Sequence, residues 1–193
     1  MEMAFDASQG RSDAEILAAY AGGDPEAARI LAARHLPPVL RLAARLLGDP
    51  AEAEDVAQEA MLRLWRAAPG WRDGGAKVST WLYRVTVNLC TDRLRRRRFV
   101  ALEAVGEPED GRISPEAMLQ DEARVRALDQ ALAALPERQR LAVVLRHVEG
   151  MANPEIAEVM EIGVGAVESL TARGRRALAR ALVGRRDALG YER

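Results

Sequence analysis

One cysteine, Cys90, stands in 193 residues, which excludes a disulfide framework. The two histidines, His35 and His147, lie far from each other and from Cys90, so no metal cluster is expected, and no motif asks for a cofactor. Lysine is almost missing: all 28 basic residues except Lys77 are arginine. With alanine abundant, that bias fits a GC-rich genome as much as a function, so not every arginine counts as a phosphate ligand. No apolar run approaches the roughly 20 residues of a membrane span. The N-terminus also lacks the basic stretch and apolar core of an export signal. These absences lead us to expect a soluble, cytoplasmic protein. Strands of convincing length and internal repeats are lacking too, and nearly every remaining signal is helical. The expected fold is all-α, with two small helical domains sharing a chain long enough for one good core or two small ones.

The net charge of −1 conceals a segregation. Residues 1–98 carry 15 basic and 13 acidic side chains, and residues 123–193 carry 12 and nine. Between them, residues 99–122 hold seven acids against the single Arg112. Gly106, Pro108, Gly111 and Pro115 fall among those acids, a composition that reads as a flexible linker. The expected organisation is therefore a tail (1–12), a first domain (13–98), an acidic linker (99–122), a second domain (123–186) and a tail (187–193). Within the first domain, Asp24-Pro25-Glu26 and Asp49-Pro50 are helix starts. Pro37-Pro38 should break or kink the first of these helices.

From Ser79 to Arg98 the sequence STWLYRVTVNLCTDRLRRRR contains no glycine or proline, and Ser79 reads as its N-cap. At 3.6 residues per turn, Leu82, Val85, Thr86, Leu89 and Cys90 share a core side. Cys90 is thus expected to pack rather than to sense redox state. Trp81, Arg84, Asn88, Thr91 and Arg95 recur along the other side, ahead of the arginine run that includes Arg96. Cations hold phosphates, an aromatic stacks on an unpaired base, and an amide reads a base edge. A solvated basic face is the plain alternative, but Trp81 argues against it. The glycines of the loop from Trp71 through Arg72 to Lys77 either serve only mobility or let its backbone approach a ligand, and its place directly before this helix makes it a candidate wall of a pocket for a flipped base.

Two further patterns carry information. The helix from Pro50 to Ala67 has Ala53, Val56, Ala57, Ala60 and Leu64 inward, and Asp55, Gln58, Glu59, Leu62 and Arg66 outward. From the residues alone, an amphipathic helix with one exposed leucine is the preferred account of that outward stripe, ahead of a protein-binding patch. Farther along, a helix over Pro136–His147 has Leu141, Val144, Leu145 and Val148 on one face and Arg138 near its start. Asn153-Pro154-Glu155 then caps a short helix to Met160. The turn Glu161-Ile162-Gly163 leads to a longer helix from Val164 that ends among arginines. This is helix-turn-helix geometry, though a generic helical hairpin shares the periodicity. In the first reading, Val164, Gly165, Ala166, Glu168 and Ser169 face base edges, while Arg173, Arg175 and Arg176 grip phosphates.

Taken together, LGDPAEAEDVAQEAMLRLWR, STWLYRVTVNLCTDRLRRRR and ALAALPERQRLAVVLRHVEGMANPEIAEVMEIGVGAVESLTARGRRAL resemble the extracytoplasmic-function group of bacterial sigma factors, over roughly residues 13–98 and 124–183. The resemblance implies a protein that is not an enzyme. It would lend promoter specificity and melting to a polymerase that supplies the catalysis, under control of a cognate anti-sigma factor. Asp55, Gln58, Glu59 and Leu62, with Arg66, would bind the clamp helices of the polymerase β′ subunit. The Trp71–Lys77 loop and the Asn88 helix would capture a base of the minus-ten region. The residues there would be Trp71, Arg72, Lys77, Ser79, Trp81, Arg84, Asn88, Thr91, Arg95 and Arg96. The helix-turn-helix would read the minus-thirty-five element as duplex through the residues above with Arg138 and Asn153. The acidic linker resembles segments that thread the polymerase's basic channels.

The chain also departs from the family pattern. Glu161 stands where glycine is usual in the turn, Gly163 where Ser or Thr often caps the next helix, and Glu168 and Leu170 where many relatives are basic. An acid at 168 repels phosphate but can accept from cytosine N4, which predicts an altered base preference. The rival reading is an operator-binding helix-turn-helix regulator that acts alone as a symmetric dimer.

Overall fold

The structure is a computed structural model that describes residues 10–72, 76–103 and 120–183. Among the described residues there are helices and no strands, in the order α1 (Asp13–Ala21), α2 (Pro25–Leu47), α3 (Pro50–Ala67), α4 (Val78–Glu103), α5 (Gln120–Ala133), α6 (Glu137–Val143), α7 (Asn153–Met160) and α8 (Val164–Val183). A short 3-10 turn, Ala68–Gly70, follows α3, and a π-turn, Val144–Val148, continues α6. The chain divides into two compact units. One comprises Met1–Ala44 with Asp49–Leu89, the other Arg45–Gly48 with Cys90–Arg193. The sequence boundaries placed the division at the acidic linker. Most of that linker, residues 104–119, lies outside the described residues, and α4 runs to Glu103 rather than stopping at Arg98.

In the first unit, α1 begins with a reciprocal cap. The Ser12 hydroxyl accepts from the Glu15 amide at 3.2 Å, and the Glu15 carboxylate accepts from the Ser12 amide at 2.6 Å. Ile16 and Leu17 then enter the core completely. The core cluster joins them to Leu31 and Val39 of α2, Ala57, Ala60 and Leu64 of α3, and Val78 and Leu82 of α4. Here α2 does not break: it stays helical through Pro37 and Pro38. Two prolines remove two amide donors and leave the carbonyls of Ala33 and Arg34 without their usual partners. Leu31 before the prolines and Val39 after them are both buried in this one core, and that shared burial outweighs the lost hydrogen bonds. α3 follows its expected pattern, with Asp49 accepting from the Glu52 amide at 3.1 Å and Ala53, Val56, Ala57, Ala60 and Leu64 all buried.

Asp13 fastens α1 to α2. Its carboxylate meets His35 Nε2 at 2.8 Å and Arg34 at 3.0 Å, and the hydrogen bond to His35 is the main cause holding its pKa below the ordinary aspartate value. A depressed carboxylate contributes stability in full above its unfolded pKa of about 3.9, and loses it as pH falls through the lower folded value. Asp13→Asn should therefore cost about 1 kcal/mol at neutral pH and flatten the acid limb below pH ~4. Urea midpoints measured across pH 2–7 check both effects.

In the second unit, α6 packs on α8 and α7 packs on α8. Ala142, Val144, Leu145, Ile156 and Val167 are fully or almost fully buried. Asn153 is not the cap expected of it. The cap position is Ala152, whose amide donates to the Glu155 carboxylate at 2.9 Å, so Asn153 is the first helical residue. Val148 was expected beside Leu145 on the buried face but is 38 % exposed. The π-turn that ends there, with the Glu149 amide bonding Val144 O at 3.1 Å, slips off the 3.6-residue period.

The turn between α7 and α8 falls where the sequence placed it. Glu161 is left-handed, with φ 53° and ψ 48°, the only non-glycine with positive φ among the described residues. Gly163 occupies the cap of α8, its carbonyl accepting from Ala166 and Val167, with open space around a Cβ built there. Glu161→Gly should gain about 0.5–1 kcal/mol by relieving the left-handed backbone. Gly163→Ser should add a few tenths of a kcal/mol through a side-chain cap. Amide exchange across residues 137–183 should report both gains.

Candidate polymerase and nucleic-acid interfaces

Three faces collect the residues singled out by the sequence. On α3, Asp55, Gln58 and Arg66 are exposed and Leu62 stands 46 % exposed among them. Glu59 is half-buried and accepts from Arg63 one turn on at 2.8 Å, a bond that holds its carboxyl below the usual range. The inward face of α3 is fully used by the core, so this polar stripe with one large apolar side chain is presented outward.

The second face runs along α4. Its start differs from expectation: the Trp81 amide bonds Lys77 O at 3.0 Å, so Lys77 holds the cap position and Ser79 lies inside the first turn. Burial of Val78 draws the helix start back to that residue. Trp81 is not a free ring in a solvated stripe. It packs on the core cluster and meets Trp71 edge-on, with centroids 5.8 Å apart and planes at 80°. An edge-to-face aromatic pair contributes about 0.5–1.5 kcal/mol beyond its burial. The contact ties the residue before the glycine-rich stretch to the helix after it. Arg72 and Lys77 are exposed on that loop, while Asp73, Gly74 and Gly75 lie outside the described residues.

Beyond Trp81, Arg84 is half-buried, and Asn88, Thr91, Arg95 and Arg96 are exposed. The arginine run is heterogeneous. Arg95 pairs with Asp92 at 3.1 Å, whereas Arg97 donates to Leu47 O at 3.1 Å and so closes the C-terminal end of α2. Proximity in sequence gave no sign of the Arg97 role. Cys90 and Thr86 face inward as expected, and the Thr86 hydroxyl is satisfied by Leu82 O at 2.8 Å. Val85 and Leu89, also placed on that side, are half-buried against the core cluster.

The third face belongs to α8. Val167 and Gly174, seven residues and about two turns apart, hold the helix onto its unit. Gly165, Glu168, Ser169, Ala172, Arg173 and Arg176 are exposed away from that contact. Val164 and Ala166 are exposed at its flanks, as are Arg175 and, on α6, Arg138. Asn153 is half-buried at the head of α7.

These faces sit on a chain with clear relatives. The Sigma-70 region 2 family matches residues 31–100, and the Sigma-70 region 4 family matches residues 125–178. The ECF RNA polymerase sigma factor SigM of Mycobacterium tuberculosis (strain ATCC 25618 / H37Rv) is 38% identical over 175 residues, covering 89% of this chain and 85% of that protein. The chain belongs to the extracytoplasmic-function sigma factors. The RNA polymerase sigma-H factor of Pseudomonas aeruginosa is 34% identical over 182 residues, covering 88% of this sigma factor and 93% of its own length. Among solved structures, CnrH in complex with the cytosolic domain of CnrY superposes with a TM-score of 0.66 at 29% identity, over 90% of this chain and 99% of that one.

As a member of this family, the sigma factor binds core RNA polymerase and promoter DNA, and it directs transcription initiation. The region 2 match begins at residue 31, yet Ile16 and Leu17 of α1 are completely buried in the same core. Helix α1 is thus an integral layer of the first unit. Among the described residues, no helix is long and apolar enough to cross a membrane.

Proposed function

We propose that the outward stripe of α3 docks on the polymerase clamp, that α4 holds an opened minus-ten strand, and that α8 reads the minus-thirty-five duplex. The observation that carries this reading is the course of α4. Its start is braced by Trp71 against Trp81, and its exposed side then offers an amide, a hydroxyl and guanidinium groups at helical steps. Such a series suits a single strand better than a duplex, because the amide can address an unstacked base while the cations follow the phosphates. Trp81 serves here as the brace of the loop, and Asn88 is the group offered to the base. Asp55, Gln58, Glu59, Leu62 and Arg66 make the polymerase contact, with Leu62 as its apolar centre.

On this reading the chain has no enzymatic activity of its own and works in the cytoplasm, where the polymerase is. A cognate anti-sigma factor controls it by covering the polymerase-binding and promoter-binding faces. The likeness to CnrH, solved with the cytosolic domain of CnrY, supports a protein partner of that kind. The deciding experiment is run-off transcription with purified core polymerase on a promoter from the same organism. Initiation that depends on the protein, with weak promoter binding in the absence of polymerase, is the expected result. Tight DNA binding without polymerase and no initiation would establish the operator-binding alternative.

A further inference from the structure

We infer that Glu168 fixes one base pair of the upstream promoter element by accepting a hydrogen bond from the N4 amino group of a cytosine in the major groove. The inference rests on reading α8 as the duplex-reading helix and adds to it the identity of a base. Several observations single out this side chain. Glu168 is exposed on the side of α8 away from Val167 and Gly174, and among the described residues its carboxylate has no hydrogen-bond or ion-pair partner. None of its helical neighbours could supply a cation, since residues 164, 165, 171 and 172 are Val, Gly, Thr and Ala. It is also the fifth residue of the helix, beyond the first turn in which the helix dipole rewards an acid. A structural role is therefore not evident.

Its surroundings suit a groove contact. Gly165, Ser169 and Ala172 are the exposed residues beside it, all short, so Glu168 is the one long polar side chain in the first two turns of the outward face. The cations Arg173, Arg175, Arg176 and Arg180 all lie farther along the helix, where they can hold phosphates without neutralising the acid. In this motif the N-terminal residues of the second helix reach the base edges. A carboxylate accepts only. Guanine O6 and thymine O4 are also acceptors and repel it, whereas cytosine N4 donates. Adenine N6 donates too, but the adjacent N7 acceptor faces the second carboxylate oxygen, so cytosine is favoured.

The test uses the full chain with core polymerase, selecting from promoter duplexes randomised across the upstream element. The wild type should enrich cytosine over guanine and thymine by about 10-fold or more at one position. Glu168→Ala should erase that enrichment, and Glu168→Gln should move it to adenine, the base that an amide pairs with bidentately. Unchanged enrichment at the other positions shows that the variants are folded and loaded. Adenine enrichment by the wild type overturns the cytosine assignment. A patterned profile that is identical in wild type and Glu168→Ala overturns the inference while leaving α8 as the reader. A wild-type profile flat across the whole upstream element overturns the duplex-reading role of α8 itself.

Discussion

Replacing Gly174 with leucine is expected to cost about 3 kcal/mol or more and to abolish initiation that depends on the upstream promoter element. A Cβ at this position would lie 2.6 Å from Val143 Cγ2 and 3.1 Å from Gln139 O, so even an alanine forces α6 and α8 apart or shifts the backbone. Val143 cannot swing away, being β-branched and only 3% exposed. Overpacking of this kind costs about 1–3 kcal/mol for small additions, against which alanine recovers about 1 kcal/mol of helix propensity. Gly174→Ala should thus lose about 1 kcal/mol, and the leucine variant several times that. The leucine loss is a large share of the 5–15 kcal/mol that typically holds a domain. Because Gly174 and Val167 together seat α8, the damage should reach the helix-turn-helix and spare the α3 stripe. Urea unfolding and amide exchange over α6 and α8 measure the first effect, and polymerase pull-down measures the second. A leucine variant with the wild-type midpoint would refute the close approach.

The same contact shows what the sequence could reveal and what it could not. Both faces of α3 were legible because Asp49-Pro50 fixes its start and every inward position obeys one local period. The turn between α7 and α8 was legible because turn chemistry is also local, and the family pattern marked Glu161 and Gly163 as its weak points, although α7 is capped at Ala152 rather than at the expected Asn153. Gly174 gave no such signal: in sequence it is a poor helix residue, and only the approach of α6 explains it. The persistence of α2 through two prolines depends likewise on Leu31 and Val39 meeting residues from three other helices. The packing of Trp81 was hidden for a related reason. Its partner Trp71 lies across a loop, where periodicity says nothing about geometry. Arg97 was one arginine in a run, and its partner, Leu47 O, lies fifty residues away in sequence. At the candidate sites the residue types were readable, but which side chains were already committed to packing or capping was a tertiary fact.

That distinction sharpens the second large prediction, a pair of opposite losses from Asn88→Ala and Leu62→Asp. Asn88 is exposed, bears no packing load, and stands one turn beyond Arg84 on the α4 stripe. Removing its amide should leave folding and polymerase binding within about 0.5 kcal/mol of wild type, as for other exposed substitutions. Open-complex formation on duplex promoter should nonetheless fall by about 10-fold or more, since a good amide–base contact is worth about 1–3 kcal/mol. Supplying a promoter already mismatched through the minus-ten region should restore only part of that loss, because strand capture is impaired along with opening. Leu62→Asp reverses the pattern. Its side chain is 46 % exposed on α3, so the fold tolerates the change, but a carboxylate at the apolar centre of a docking face must be desolvated without a partner. Polymerase affinity should drop by about 2 kcal/mol or more, or roughly 30-fold, and open-complex yield should recover when the variant is added in excess. Fluorescence of a 2-aminopurine in the minus-ten strand reads opening, and titration with labelled core polymerase reads docking. Parallel losses in both assays for either variant would mean that α3 and α4 do not divide the work as assigned.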